Sequence, residues 1–69
     1  MSTTYKNQIL VNGKEKTFRT SETTIEIIAL ERHEKLVAWA EMYSQAFGYS
    51  VAVNMFIDDS IVYSVDFEY

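Results

Sequence analysis

Residues 29–48 read ALERHEKLVAWAEMYSQAFG, and the spacing of their apolar members decides the architecture. Ala29, His33, Leu36, Ala40, Tyr43 and Phe47 recur every three or four residues. That period draws one stripe down the side of an α-helix. Val37 and Trp39 flank the stripe, while Glu31, Glu34, Lys35 and Glu41 lie on the wet side. Glu31 and Lys35 form a favourable i,i+4 pair. Gly48 follows directly, where a helix ends well on a residue that tolerates positive φ. The spacing predicts a helix over 30–47, and a helix with one apolar stripe needs a second layer to cover it.

The flanks supply that layer. Upstream, Tyr5, Ile9, Leu10 and Val11 lead into Asn12-Gly13. This dipeptide favours a two-residue type I′ hairpin turn, because both central positions require positive φ. The turn sets Val11 opposite Lys14 and sends a return strand on through Phe18. The stretch from Thr20 to Ala29 is rich in β-branched residues, and Ile25, Ile27 and Ala29 alternate with Thr24, Glu26 and Ile28. The expectation there is a strand. Its rival is a helix starting at Thr24, with Thr23 as N-cap and Glu26 closing a capping box.

Downstream, Tyr49, Val51, Val53, Met55 and Ile57 alternate with Ser50, Ala52 and Asn54, and Phe56 points outward. Asp58-Asp59-Ser60 makes a turn. The last strand sets Ile61, Tyr63, Val65, Phe67 and Tyr69 against Val62, Ser64, Asp66 and Glu68. The predicted fold is α+β in the order β-β-α-β-β: one domain over 1–69, with a helix across one face of a four-stranded sheet. Leu36, Phe47, Val53, Val65 and Phe67 are the expected core.

Composition restricts what such a domain does. With 69 residues and no cysteine, no disulfide staples the fold and no thiolate serves as nucleophile or zinc ligand. Stability must come from one packed core, and 48% hydrophobic residues without a proline supply the material. Ten acidic residues against six basic give a net charge of −4. Phosphate contacts need lysine and arginine, so direct nucleic-acid binding is not expected. The acidic balance suits solubility or a basic protein partner. No apolar run is long enough for a signal peptide or a membrane span. The chain is expected to be cytoplasmic, or a module cut from something larger.

No motif for catalysis stands out. His33 is the sole histidine and has no serine, cysteine or second histidine placed to partner it. Asp58-Asp59 lacks the alternating oxygen ligands of a calcium loop. Two glycines, Gly13 and Gly48, make no phosphate cradle. No catalytic residue, metal or cofactor is therefore expected. Two surface features carry functional weight. Trp39 and Met42 lie together beside the core stripe and, with Phe56, suggest a contact surface, since exposed tryptophan is enriched at binding hot spots. The plainer reading has Trp39 sealing the margin of the core. Asp66 and Glu68, with Glu22 and Glu26, suggest an acidic sheet face. Small acidic phage-type inhibitors of restriction and CRISPR enzymes use such rows of carboxylates as nucleic-acid decoys, and that is the alternative function.

Several words of the chain resemble the immunoglobulin-binding domains of streptococcal protein G, a β-grasp-like family. These are Thr4-Tyr5-Lys6 with Ile9-Leu10 and Asn12-Gly13-Lys14, Glu22-Thr23-Thr24-Ile25-Glu26, Glu34-Lys35, and Asp58-Asp59 between two strands. The resemblance implies the same β-β-α-β-β fold and a protein partner. In that family antibody Fc is gripped by polar helix residues and a third-strand tryptophan. Only Glu34 and Lys35 match, whereas Ala38, Trp39, Met42 and, near the tryptophan's place, Met55 depart. The family's other mode adds an antibody strand to the second strand, which here implicates Glu22, Thr23 and Thr24. The expectation is a non-enzymatic protein-binding module acting through a helix flank (Glu34, Lys35, Trp39, Met42) or that sheet edge.

Overall fold

The computed structural model describes residues 3–16 and 22–68. Four antiparallel strands and one helix follow in the order β1 (Tyr5–Val11), β2 (Lys14–Lys16), α1 (Glu26–Phe47), β3 (Val51–Ile57) and β4 (Ser60–Phe67). The sheet order is β2-β1-β3-β4, so the two hairpins meet along the central β1–β3 pair. The α+β architecture expected from the sequence is the one observed.

β1 shows why a sheet forms. Tyr5, Asn7, Ile9 and Val11 are buried, while Lys6, Gln8 and Leu10 between them are half-buried on the other face. This is the period-2 alternation of a strand with one covered side. Val51, Val53 and Met55 of β3 are buried in register with Val11, Ile9 and Asn7. The first hairpin turns at Asn12-Gly13, both with positive φ (52° and 83°), and pairs Val11 with Lys14 as expected. The second turns at Asp58-Asp59, again with positive φ at both positions (48° and 67°). Asp58 is also tied back to the start of β1: its backbone N–H donates to the Thr4 carbonyl and its Oδ1 accepts from the Thr4 N–H, each at 2.9 Å.

The helix buries Ala29, Leu36, Ala40 and Ser44 against this sheet. Three of the four are small, which lets the helix lie close to β1 and β3. Leu36 alone inserts a large aliphatic group among Ile9, Val11, Val51 and Val53. At the far end, Gly48 takes φ 68° and its N–H donates to the Ser44 carbonyl at 2.8 Å, which is the cap expected of it.

The helix begins earlier than the sequence suggested. Residues 24–28 were expected to be strand, yet Glu26, Ile27 and Ile28 are helical. The extended segment stops at Thr23, which exchanges two backbone hydrogen bonds with Tyr5 (2.8 and 2.9 Å). The helix is then held by tertiary contacts rather than by propensity. The Tyr5 hydroxyl donates to Glu26 Oε2 at 3.2 Å, and Asn7 Nδ2 donates to the Ala29 carbonyl at 3.1 Å. These contacts override the β-branched preference of Ile25, Ile27 and Ile28. The rival capping box does not form either. Ile25 occupies the N-cap without a side-chain cap, and Thr23 Oγ1 accepts only from the Ile25 N–H. The continuation of the first hairpin to Phe18 and the start of the Thr20–Ala29 stretch lie outside the described residues.

The core also differs at one end. Leu36 and Val53 are fully buried, but Val65 and Phe67 are only half-buried and Phe47 is 59% exposed. For Phe47 the reason is length. Twenty-two helical residues span roughly 33 Å, whereas the seven residues of β1 and of β3 span roughly 24 Å. The last helical turn therefore overhangs the sheet, and Phe47 is not among the side chains packed on the core. In β4, the pairing steps from Met55–Tyr63 to Phe56–Ile61, so Val62 is a bulge and Ile61 shares the outer face with Phe56 rather than the inner face with Tyr63.

Candidate binding surface

The overhang assembles aromatic side chains from two elements. Along the helix, Trp39, Met42, Tyr43, Ala46 and Phe47 follow the i, i+3, i+4, i+7, i+8 spacing, a second stripe beside the buried one. Beyond the cap, Tyr49 folds back against them. The Trp39 and Tyr43 rings stack at 4.5 Å between centroids, and Phe47 and Tyr49 stack at 5.6 Å. Tyr43 touches both Phe47 (4.7 Å) and Tyr49 (5.7 Å), so the four rings form one continuous cluster.

Ser44 makes this arrangement possible. It is fully buried, and its hydroxyl donates to the Tyr49 carbonyl at 2.5 Å, with the Phe67 carbonyl further off at 3.4 Å. The bond ties the segment after the helix, and hence the Tyr49 ring, to the last helical turns. A satisfied buried hydroxyl is stable there, because its only donor finds an acceptor.

The five helical residues line a shallow groove of about 190 Å³. Among the described residues, no charged side chain contributes to its wall. Met42 is 69% exposed, Phe47 is largely exposed, and Trp39 is half-buried with one part against the core and another on the groove. Charge begins one turn toward the N-terminus, where Lys35 and Glu31 pair at 3.1 Å. The last turn of the helix contains no basic residue, so the helix dipole leaves this end slightly negative.

The expected site residues divide between two places. Trp39 and Met42 fall in the groove; Lys35, four residues before Trp39, and Glu34 are exposed and do not line it. Glu22, Thr23 and Thr24 lie at the other end of β1, beside Tyr5, whereas the aromatic cluster sits at the Val11–Val51 end. The edge at Thr23 is already bonded to β1. Met55, which the resemblance set near a third-strand tryptophan, is buried under the helix. Of the expected core only Phe47 falls here; Tyr43, a member of the expected stripe, does pack against the core as well, Tyr49 precedes the strand it was expected to open, and Ala46 was not singled out. Their signal was present as the second stripe at 39, 42, 43, 46 and 47.

The polar features offer less. A concavity of about 360 Å³ at the Asp58-Asp59 turn is lined by Thr4, Lys6, Gln8, Glu22 and Phe56 together with both aspartates, a mixture of signs. His33 packs its ring 5.7 Å from Tyr63, and its buried Nδ1 has no hydrogen-bond partner among the described residues. Burial lowers the His33 pKa, partly opposed by Glu34, so the ring is neutral near pH 7. Among the described residues, no three histidine, aspartate or glutamate side chains gather as they would around a metal, and no helix is long and apolar enough to cross a membrane.

No protein-family model matches the chain, and no curated protein or solved structure matches it either.

Proposed function

We propose that the chain is a small non-enzymatic protein-binding module whose contact surface is the aromatic overhang of α1. The observation that carries this reading is the groove itself: large apolar side chains, two of them mostly exposed, surround a concavity to which no described charged side chain contributes. A small domain in water gains nothing from exposing Met42 and Phe47, whereas a partner that covers them gains their transfer free energy. Trp39 and Tyr43 are stacked before any partner arrives, so little side-chain entropy is lost on binding.

The acidic-decoy reading draws less support. Glu26, one of its four carboxylates, belongs to the helix and is engaged by Tyr5. The middle of the outer sheet face is a neutral ladder across three strands, where Ser64 Oγ donates to Asn54 Oδ1 (2.7 Å) and Asn54 Nδ2 donates to Gln8 Oε1 (3.1 Å).

Met42→Glu tests the proposal, because Met42 is the most exposed member of the groove and contributes least to the core. Wild type and variant serve as matched affinity baits in extracts of the source cells, with melting curves run in parallel. The expected result is a partner retained by the wild type, held equally well at raised salt, and lost with Met42→Glu at an unchanged melting midpoint. Equal retention by both baits overturns the choice of surface. Binding that collapses with salt and ignores Met42 favours the decoy.

A further inference from the structure

The two edges of the sheet are built differently. Among the described residues, β2 is Lys14-Glu15-Lys16, fully exposed and charged at every position. Lysine on an edge strand is a usual guard against edge-to-edge pairing. β4 has eight residues, no proline and, through Ser60–Val65, no charge. Among the described residues, no strand pairs with its outer side. Tyr63 is 52% exposed, although its cross-strand neighbour Met55 is fully buried. The helix thus leaves the β4 side of its sheet face partly uncovered, with Val65 and Phe67 half-buried beside Tyr63.

We propose that β4 pairs antiparallel with β4 of a second copy of this chain, about a two-fold axis at Val65. The Val62 bulge limits regular backbone to Tyr63–Phe67, and Val65 is the midpoint of that stretch. Centring there sets Tyr63 opposite the second copy's Phe67, twice, and Val65 opposite itself, all on the helix side. On the outer face Ser64 meets the second copy's Asp66, also twice. Apolar and aromatic cross-strand pairs stabilise a ladder, and directly opposed like charges weaken it. A register centred on Asp66 would oppose the two aspartates. One centred on Ser64 would press Phe67 onto Ile61 across the bulge. The Val65 register avoids both, and it joins two four-stranded sheets into one with both helices on the same side. The edge pairing is independent of the aromatic groove.

Ser64 is exposed, so charge placed there reads the register. Ser64→Lys and Ser64→Glu lose the same hydrogen bond to Asn54 and differ only in what they present to Asp66 of the other copy. In sedimentation equilibrium up to about 1 mM, the wild type is expected to dimerise, Ser64→Lys to dimerise more tightly and Ser64→Glu more weakly. With two charge pairs per dimer, the variants should differ about tenfold in dimer dissociation constant. Ala38→Lys and Ala38→Glu, on the exposed helix face, make the same change in net charge and should not differ. Wild-type amide exchange at 63–67 should slow with concentration while that at 14–16 does not, which tests the edge without any substitution. A wild type that stays monomeric overturns the proposal. So does a Ser64 pair that separates no further than the Ala38 pair, or a dimer that Met42→Glu dissolves.

Discussion

Leu36→Ala tests whether the core lies where the packing places it. Leu36 is fully buried and is the one large aliphatic in the buried helical stripe. Truncation removes three carbons, or about 2.4 kcal/mol at about 0.8 kcal/mol per methylene. The cavity lies between the helix and two central strands, β1 and β3, which cannot collapse onto it easily. Roughly 50 Å³ of residual space adds about 1.2 kcal/mol. The sum, about 3.6 kcal/mol, is a large share of the roughly 3–10 kcal/mol available to 69 residues. Urea unfolding followed by far-UV circular dichroism and by the fluorescence of Trp39, the only tryptophan, measures the loss. Phe47→Ala is the internal comparison. Sequence spacing puts both residues in one stripe, but Phe47 overhangs the sheet and should cost only about 1 kcal/mol. A Leu36→Ala loss below about 1 kcal/mol, or equal losses at the two positions, would refute the overhang.

Two further outcomes follow from buried polar groups. Ser44→Ala removes the donor to the Tyr49 carbonyl and should cost about 1–3 kcal/mol; because that bond holds the Tyr49 ring, the near-ultraviolet signal of the aromatic cluster should change as well, and a variant matching the wild type in both measurements would remove Ser44 from this role. His33 has a folded pKa below its unfolded value of about 6.5 because burial disfavours the charged ring. The unfolded chain therefore takes up the proton first, so stability is full above about pH 6.5 and falls as pH drops through the window below it. His33→Phe keeps a ring beside Tyr63 and should flatten that slope between about pH 7 and 5; an unchanged slope would mean that other groups cause it.

Much of the architecture was legible because local signals agreed with one another. Asn12-Gly13 and Gly48 could hardly be anything but a hairpin turn and a helix cap, and the alternation in β1 and β3 needed only one covered face. The errors arose where the deciding force was not local. Nothing in Ile25 to Ile28 announces that Tyr5 will hold Glu26 or that Asn7 will bond Ala29. Periodicity identifies which side of a helix is apolar, but it does not say where the sheet beneath it ends. Phe47 therefore looked like core. The bulge at Val62 was hidden for the same reason, since strict alternation from Ile61 to Tyr69 fits a regular strand equally well. Trp39 and Met42 were recognisable as anomalies. Their partners Tyr43 and Phe47 were not, because the two stripes share a boundary.

The distribution of bulk between those stripes bears on what the domain does when bound. Among its fully buried positions α1 has mainly small residues, Ala29, Ala40 and Ser44, with Leu36 as the single large one, while Val37, Trp39 and Tyr43 pack at the margin of the core. Toward solvent it presents Met42 and Phe47, each of which would contribute about 1.5–3 kcal/mol if fully buried. The free domain is thus less stable than its composition allows, and the shortfall is concentrated at the groove. A partner that fills the groove recovers it and also stabilises the fold by linkage, by about 2.7 kcal/mol when present at about 100 times its dissociation constant. For a domain this small that corresponds to a rise in melting midpoint of about 10–20 °C. Met42→Glu should abolish the rise while leaving the midpoint of the free domain unchanged, since Met42 contributes almost nothing to the core. If the variant instead lowers the free midpoint by a comparable amount, the second stripe is part of the fold's own support, and the case for a partner on this face fails.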